Sequence, residues 1–289
     1  MSVKAAAGER TNAGCLPSAP GELTAEGLYF AYGGTMILEN ITLSVSEGEF
    51  VSLLGASGCG KTTFLRLLAG LEKPTRGAIF WQGRALTSPS LERGIVFQEY
   101  SLFPWLTLKD NVALAVGKAS PGATKSRVWE LADGYLSMVG LDGAGKKYPH
   151  ELSGGMRQRG AIVRTLALGS RVLLMDEPFG ALDPVNRMRL QELLLEIWSA
   201  TSPRRTVVFV THDVDEALFL GDRVLIFGSA PGRLIGELSV NFPRPRSASL
   251  LFYSEKFRSL KEKISDYYHR DIQNRNDALP MNLTCGEGI

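Results

Sequence analysis

An apolar run from Phe50 to Leu54 ends in Gly55-Ala56-Ser57-Gly58-Cys59-Gly60-Lys61-Thr62, and a helix-like pattern resumes at Phe64. Glycines at these spacings let backbone N–H groups converge on an anion, and the free amides of the following helix start add their positive dipole end. Lys61 brings a point charge for β- and γ-phosphates. Thr62, followed by Thr63, brings a hydroxyl for Mg²⁺. The strand, loop and helix context makes this a nucleotide triphosphate site.

A second stretch, Arg171-Val172-Leu173-Leu174-Met175-Asp176-Glu177-Pro178, delivers two carboxylates at the end of an apolar run. Such a run is the pattern of a buried parallel strand, and ligands bind beyond the C-terminal ends of those strands. Asp176 is placed to hold Mg²⁺ through water. Glu177 points elsewhere and is the candidate for polarising an attacking water.

A third stretch, Leu152-Ser153-Gly154-Gly155-Met156 and then Arg157-Gln158-Arg159, opens the helix-like run up to Leu168. It is a second helix start able to receive an anion. Ser153 as a cap of its own helix is an equally simple reading, and both can hold, because the hydroxyl and the free amides are separate groups.

With these three stretches in order, the chain resembles the ATP-binding subunits of ABC transporters over roughly residues 23 to 240. Further elements fall in sequence: Tyr32, Gln98 after Gly94 to Phe97, Gly180-Ala181-Leu182-Asp183, and His212 after Val207 to Val210. Met156 departs from the glutamine usual in that signature. The resemblance implies an α/β fold, a P-loop NTPase of ABC type with a RecA-like core, an antiparallel β portion and a helical subdomain. It implies ATP and Mg²⁺ as cofactors. Tyr32 would stack on adenine; Lys61, Thr62, Gln98 and Asp176 would hold phosphates and metal; Glu177 would position water, and His212 would steady the γ-phosphate and the base. Ser153, Gly154, Gly155 and Asp183 would complete the site of a second copy across a dimer. The remaining partners would be membrane permease subunits and, indirectly, a solute-binding protein, on the cytoplasmic face of the membrane.

Composition fits that assignment. The chain has 289 residues, 44% of them hydrophobic, and a formal net charge of +2, so no excess of charge calls for a nucleic acid. No window reaches the ~20 apolar residues of a membrane span. Soluble ABC-type ATPases of DNA maintenance or translation carry coiled coils, zinc modules or a second ATPase domain, and none of these is present. Cys15, Cys59 and Cys285 form neither a zinc pattern nor a disulfide framework. Converging amides would lower the thiol pKa of Cys59, whereas a filler role would leave it inert.

The elements that position these groups divide the chain into a disordered leader at 1–22, an ATPase domain at 23–240 and an extension at 241–289. Ile41 to Val45 alternates as a half-buried strand, Ser46 to Glu49 turns, and Lys125 to Met138 is helix-permissive within a helical subdomain at about 99–160. Asn241 to Arg246, with Pro243 and Pro245, reads as a stiff linker. Beyond it, Phe257, Leu260, Ile264 and Tyr267 or Tyr268 recur at helical spacing after Ser254, either to pack on the domain or to bind a partner. The stretch from Asn274 onward reads as a loose polar tail. Tyr100, Leu102, Phe103, Pro104, Trp105 and Leu106 concentrate apolar groups that serve either a subdomain core or a groove for a membrane subunit. Leu102 to Trp105 and Ser229 to Arg233 resemble the nitrate, sulfonate and taurine importer branch.

Overall fold

Among the described residues, five parallel strands and one antiparallel edge strand form the central sheet, and the largely apolar make-up of its inner strands explains why it lies inside. The computed structural model describes residues 22–98, 101–180, 182–247 and 251–278. The leader residues Met1 to Pro20, Tyr100, Ala181, Cys285 and the tail beyond Ala278 lie outside them. Strands β3 (Phe50–Leu54), β7 (Val172–Asp176) and β8 (Thr206–Thr211) are buried along their whole length. Strands covered on both faces select continuous Val, Leu and Phe rather than alternation. With β6 (Arg93–Val96), β9 (Arg223–Phe227) and β10 (Leu234–Ser239) they take the order β10-β9-β3-β8-β7-β6. Only β10 pairs antiparallel in this sheet.

A second sheet, all antiparallel, has the order β2-β1-β4-β5. It comprises β1 (Leu23–Tyr32), β2 (Thr35–Val45), β4 (Arg76–Trp81) and the short β5 (Arg84–Ala85). In β2, Ile41, Leu43 and Val45 are buried while Thr42 is exposed, the alternation expected of a strand covered on one face. Helix α1 (Lys61–Ala69) buries Phe64, Leu65, Leu67 and Leu68 between the two sheets.

The helical subdomain has its own core. Helices α2 (Leu108–Ala119), α3 (Lys125–Met138) and α4 (Gly154–Ala167) gather Leu108, Val112, Val116, Leu136 and Val163. Thr107 and Thr124 cap the first two by accepting from the Asp110 and Arg127 amides, contacts worth about 1 kcal/mol each. Leu102 joins this core, so that part of the apolar cluster is structural.

Helices α5 (Pro184–Ala200) and α6 (Val214–Leu220) cover the other face of the central sheet. Helix α7 (Glu255–Ala278) buries Phe257, Leu260 and Ile264 against the same cluster. The stripe packs on its own domain, with the Phe257 amide donating to Ser254 Oγ at 3.2 Å.

Two expectations about the extension need correction. Asn274 is not in a loose tail, because α7 runs on to Ala278. Nor does Asn241 to Arg246 stand off as a stiff linker. Arg246 is buried and donates to the carbonyls of Phe219 and Gly221 at 2.8 Å each and of Val240 at 3.1 Å. Arg244 pairs with Asp222 at 2.7 Å and lies over the Trp198 ring at 4.5 Å. The two guanidinium groups satisfy the carbonyl end of α6, where a helix has free acceptors and negative dipole. Burial and the neighbouring Arg244 depress the Arg246 pKa to about 10, still charged at neutral pH.

Candidate functional site

Strand register brings the phosphate loop, the acidic pair and the start of His212's turn level. Leu54 pairs with Thr211, and Asp176 pairs with Val210, so the chain leaves β3, β7 and β8 at one height. Gly55 N–H donates to the Thr211 carbonyl at 3.3 Å, and Glu177 N–H to the Val210 carbonyl at 3.0 Å. Gly55, Glu177 and His212 therefore share the C-terminal edge of the sheet.

The loop from Gly55 to Gly60 needs its glycines for distinct reasons. Gly60 has φ 97° and caps α1, and a Cβ there would lie 2.7 Å from Leu38 Cδ2. Gly58 has φ 78°, in the left-handed region open to glycine. Ala56, Ser57 and Gly58 are exposed. Helix α1 has no side-chain cap and no acid in its first turn, so its amides face outward available to an anion. Lys61 is buried and its ammonium donates to the Gly55 and Ala56 carbonyls at 2.7 and 2.9 Å. Thr63 is half-buried one residue past Thr62.

Cys59 is buried with its sulfur in the loop's interior, where a Cβ on Gly55 would come within 2.8 Å of it. Burial pushes the thiol pKa up, against a smaller lowering by Lys61. The filler role holds and an activated thiolate does not.

The acids are held differently. Thr62 Oγ1 donates to Asp176 Oδ1 at 3.0 Å, which sets two hard oxygen donors side by side. Burial raises the Asp176 pKa, the Thr62 hydrogen bond and the Lys61 charge opposing it. A divalent cation would favour the carboxylate form, and hydroxyl plus carboxylate is the donor chemistry Mg²⁺ takes. Glu177 has φ 43°, a conformation that costs a non-glycine residue roughly 1–3 kcal/mol and recurs at functional sites. Its Oε2 lies 3.1 Å from His212 Nδ1 and its Oε1 4.0 Å from Lys61 Nζ.

The other predicted residues are less directly gathered. Gln98 is exposed two residues beyond β6, and the Val96–Met175 pairing carries it level with Glu177. Tyr32 stands at the turn end of the β1–β2 hairpin, 43% exposed and edge-on to Phe30 at 4.6 Å. Its hydroxyl donates to Glu72 at 3.1 Å, beyond the far end of α1. Ser153 caps α4 by accepting from the Met156 amide at 3.3 Å, and Gly154 and Gly155 form the first turn. A Cβ on Gly155 would touch Leu182 at 3.4 Å. Asp183 caps α5 through the Asn186 amide at 3.1 Å, and its hydrogen bonds to Asn186 hold its pKa down.

Three residues escaped sequence reasoning. Asn111 is fully buried; it accepts from the Phe103 amide at 2.8 Å and donates to the carbonyls of Phe103, Leu106 and Thr107 at 3.0 to 3.2 Å. It fixes the loop that carries Phe103 and Trp105; a lone polar residue within the apolar face of α2 was the available signal. Glu216, at the start of α6, is buried and accepts from Gln191 at 2.9 Å. Asp271 is buried on α7.

Phe103 and Arg164 line a cavity of about 270 Å³ with Leu114, Ala115, Lys118 and Leu168. Trp105 stands beside it, 70% exposed, its ring 5.4 Å from that of Phe103. Among the described residues no helix is long and apolar enough to cross a membrane.

Comparison with known proteins agrees with this geometry. The family described as ABC transporter matches residues 38–180. The nitrate import ATP-binding protein NrtD of Synechococcus elongatus is 43% identical over 246 residues, covering 85% of this chain and 89% of that protein. The bicarbonate transport ATP-binding protein CmpC of the same organism is 46% identical over 230 residues, 79% of this chain and 34% of that protein. Among solved structures, a dimeric post-hydrolysis state of the ATP-binding cassette MJ0796, bound to ADP and Pi, superposes with a TM-score of 0.68 at 30% identity. It covers 76% of this chain and all of that one, 100%. On the fold, the site and these likenesses, the chain belongs to the ABC transporter family as an ATP-binding subunit.

Proposed function

We propose that this chain hydrolyses ATP to energise an importer of a small anion such as nitrate, taurine or an aliphatic sulfonate. The observation that carries the hydrolytic part is Glu177, held at φ 43° with His212 at 3.1 Å and Lys61 at 4.0 Å, beside the Thr62–Asp176 pair. The loop amides and Lys61 would bind the phosphates, and Thr62, Asp176 and Gln98 would hold Mg²⁺. That ion, when bound, would polarise phosphoryl oxygens. Glu177 would orient and deprotonate water, and His212 would fix the carboxylate and contact the terminal phosphate. Positioning and charge supply most of what phosphoryl transfer needs. Ser153, Gly154, Gly155 and Asp183 would act on the nucleotide of a second copy, and the dimeric assembly of MJ0796 supports that reading.

The anion class is supported by relatives named for nitrate import and bicarbonate transport. Coupling is supported by the cavity under Phe103 and by exposed Trp105, which offer an apolar seat for a permease segment at the inner membrane face. A solute-binding protein would act through that permease. The test is uptake by vesicles holding permease and ATPase. Trp105→Ser removes ~1–3 kcal/mol of contact and should lower co-purification and uptake while soluble ATPase and Tm stay unchanged. Loss of ATPase and Tm together, with the partner still bound, would refute the docking role.

A further inference from the structure

The loop between β9 and β10 is hydrogen-bonded on one side to β2, where it also abuts the phosphate loop, and is held on the other by α7. On the inner side, Gly232 N–H donates to the Ile37 carbonyl at 2.7 Å, and its own carbonyl accepts from Glu39 N–H at 2.8 Å. A Cβ built on Gly232 would lie 2.0 Å from the carbonyl oxygen of Cys59. The backbone thus rests directly on the phosphate loop, at a spacing that only glycine allows.

On the outer side, Arg275 donates to the Ala230 carbonyl at 2.8 Å and also to the Ser229 carbonyl. Asp271 accepts from Arg233 at 2.6 Å and faces Arg275 at 3.4 Å. A Cβ on Gly228 would come within 2.9 Å of Asp271 Oδ2, so the carboxylate also abuts the start of the loop. Tyr268 lies between the two sides. Burial first, and then the nearby Cys59 and Asp271, push its pKa up to about 12.

We infer that Asp271 and Arg275 are positioning residues for the nucleotide: they hold the 228–233 loop so that Gly232 backs the Cys59 carbonyl and fixes the phosphate loop from behind. The C-terminal helix is then part of the nucleotide-binding apparatus. This rests on the reading of the Gly55–Thr62 loop as the ATP site. A fixed backing lowers the ordering cost of binding, so its loss weakens binding more than turnover.

The test measures a fluorescent ATP analogue's Kd, together with KM, kcat and Tm, in full-length Asp271→Asn, Gly232→Ala and the double variant. Each single change should raise Kd and KM about fivefold with kcat within about twofold. The double variant should be no worse than the weaker-binding single, because both act through one loop. Lys261→Ala breaks another α7 contact, the 2.6 Å pair with Asp215, and should leave Kd unchanged. Unchanged Kd in either Asp271→Asn or Gly232→Ala, additive losses, or a Kd rise of equal size in Lys261→Ala would overturn the inference. Failure of the unaltered protein to bind the analogue would instead remove the ATP-site reading itself.

Discussion

Lys61 shows how the site stores charge. Its ammonium is buried yet has two carbonyl acceptors, with Glu177 at 4.0 Å, so desolvation is met by hydrogen bonds and by an opposite charge. Tyr32 is placed more openly, with its ring accessible and its hydroxyl on Glu72. Stacking of a base on an aromatic ring contributes roughly 1–3 kcal/mol, so Tyr32→Ala should weaken ATP binding about tenfold. Tyr32→Phe should bind as the parent, because the hydroxyl's partner is a surface carboxylate. Titration calorimetry checks this pair, and equal losses in both would show that the hydroxyl, not the ring, matters. Loop and acids were legible in the sequence because phosphate and metal chemistry dictates residue types at fixed spacing. The caps made by Ser153 and Asp183 were half legible: a hydroxyl or carboxylate before a helix serves its own amides whether or not a ligand comes.

At the level of elements, α6 depends on groups far away in sequence. Its first turn places Glu216 in the core against Gln191, and its last carbonyls take Arg244 and Arg246. Burial raises the Glu216 pKa above the ordinary 4.5. The folded state therefore holds its proton to higher pH than the unfolded chain does. Stability from this group is full below the unfolded value and is lost as pH rises through the folded one. Glu216→Gln should flatten the fall in Tm of the parent as pH rises from 4.5 toward neutrality, measured by calorimetry on both proteins. A parallel pair of curves would mean that Glu216 is ionised over that range. Helix-permissive residues made Lys125–Met138 legible as a helix, since local propensity needs no distant partner. The docked Pro243–Arg246 segment was not, because prolines and arginines look alike in a linker and in a strap whose acceptors at Leu220, Asp222 and Phe219 lie 22 to 27 residues upstream. Asn111 showed in the sequence only as a polar residue on the apolar face of α2; its role did not, because its partners are backbone groups that take shape only once the loop folds.

At the scale of the whole molecule, the helix starts at Lys61 and at Gly154, which on the proposed reading receive phosphate, lie on separate subdomains with separate cores. Two copies facing each other would let one copy's signature helix close on a phosphate held by the other's loop. On the proposed reading, ATP would favour a closed pair and hydrolysis an open one, a two-state change that a permease seated at Phe103 and Trp105 would follow. Measuring the solution mass of Glu177→Gln with ATP and Mg²⁺, by light scattering, tests this most directly. The variant keeps the shape of the site, should lose hydrolysis by about 10²–10⁴-fold, and should appear at twice the chain mass of 31.5 kDa. A mass that stays at 31.5 kDa under saturating ATP would contradict the account.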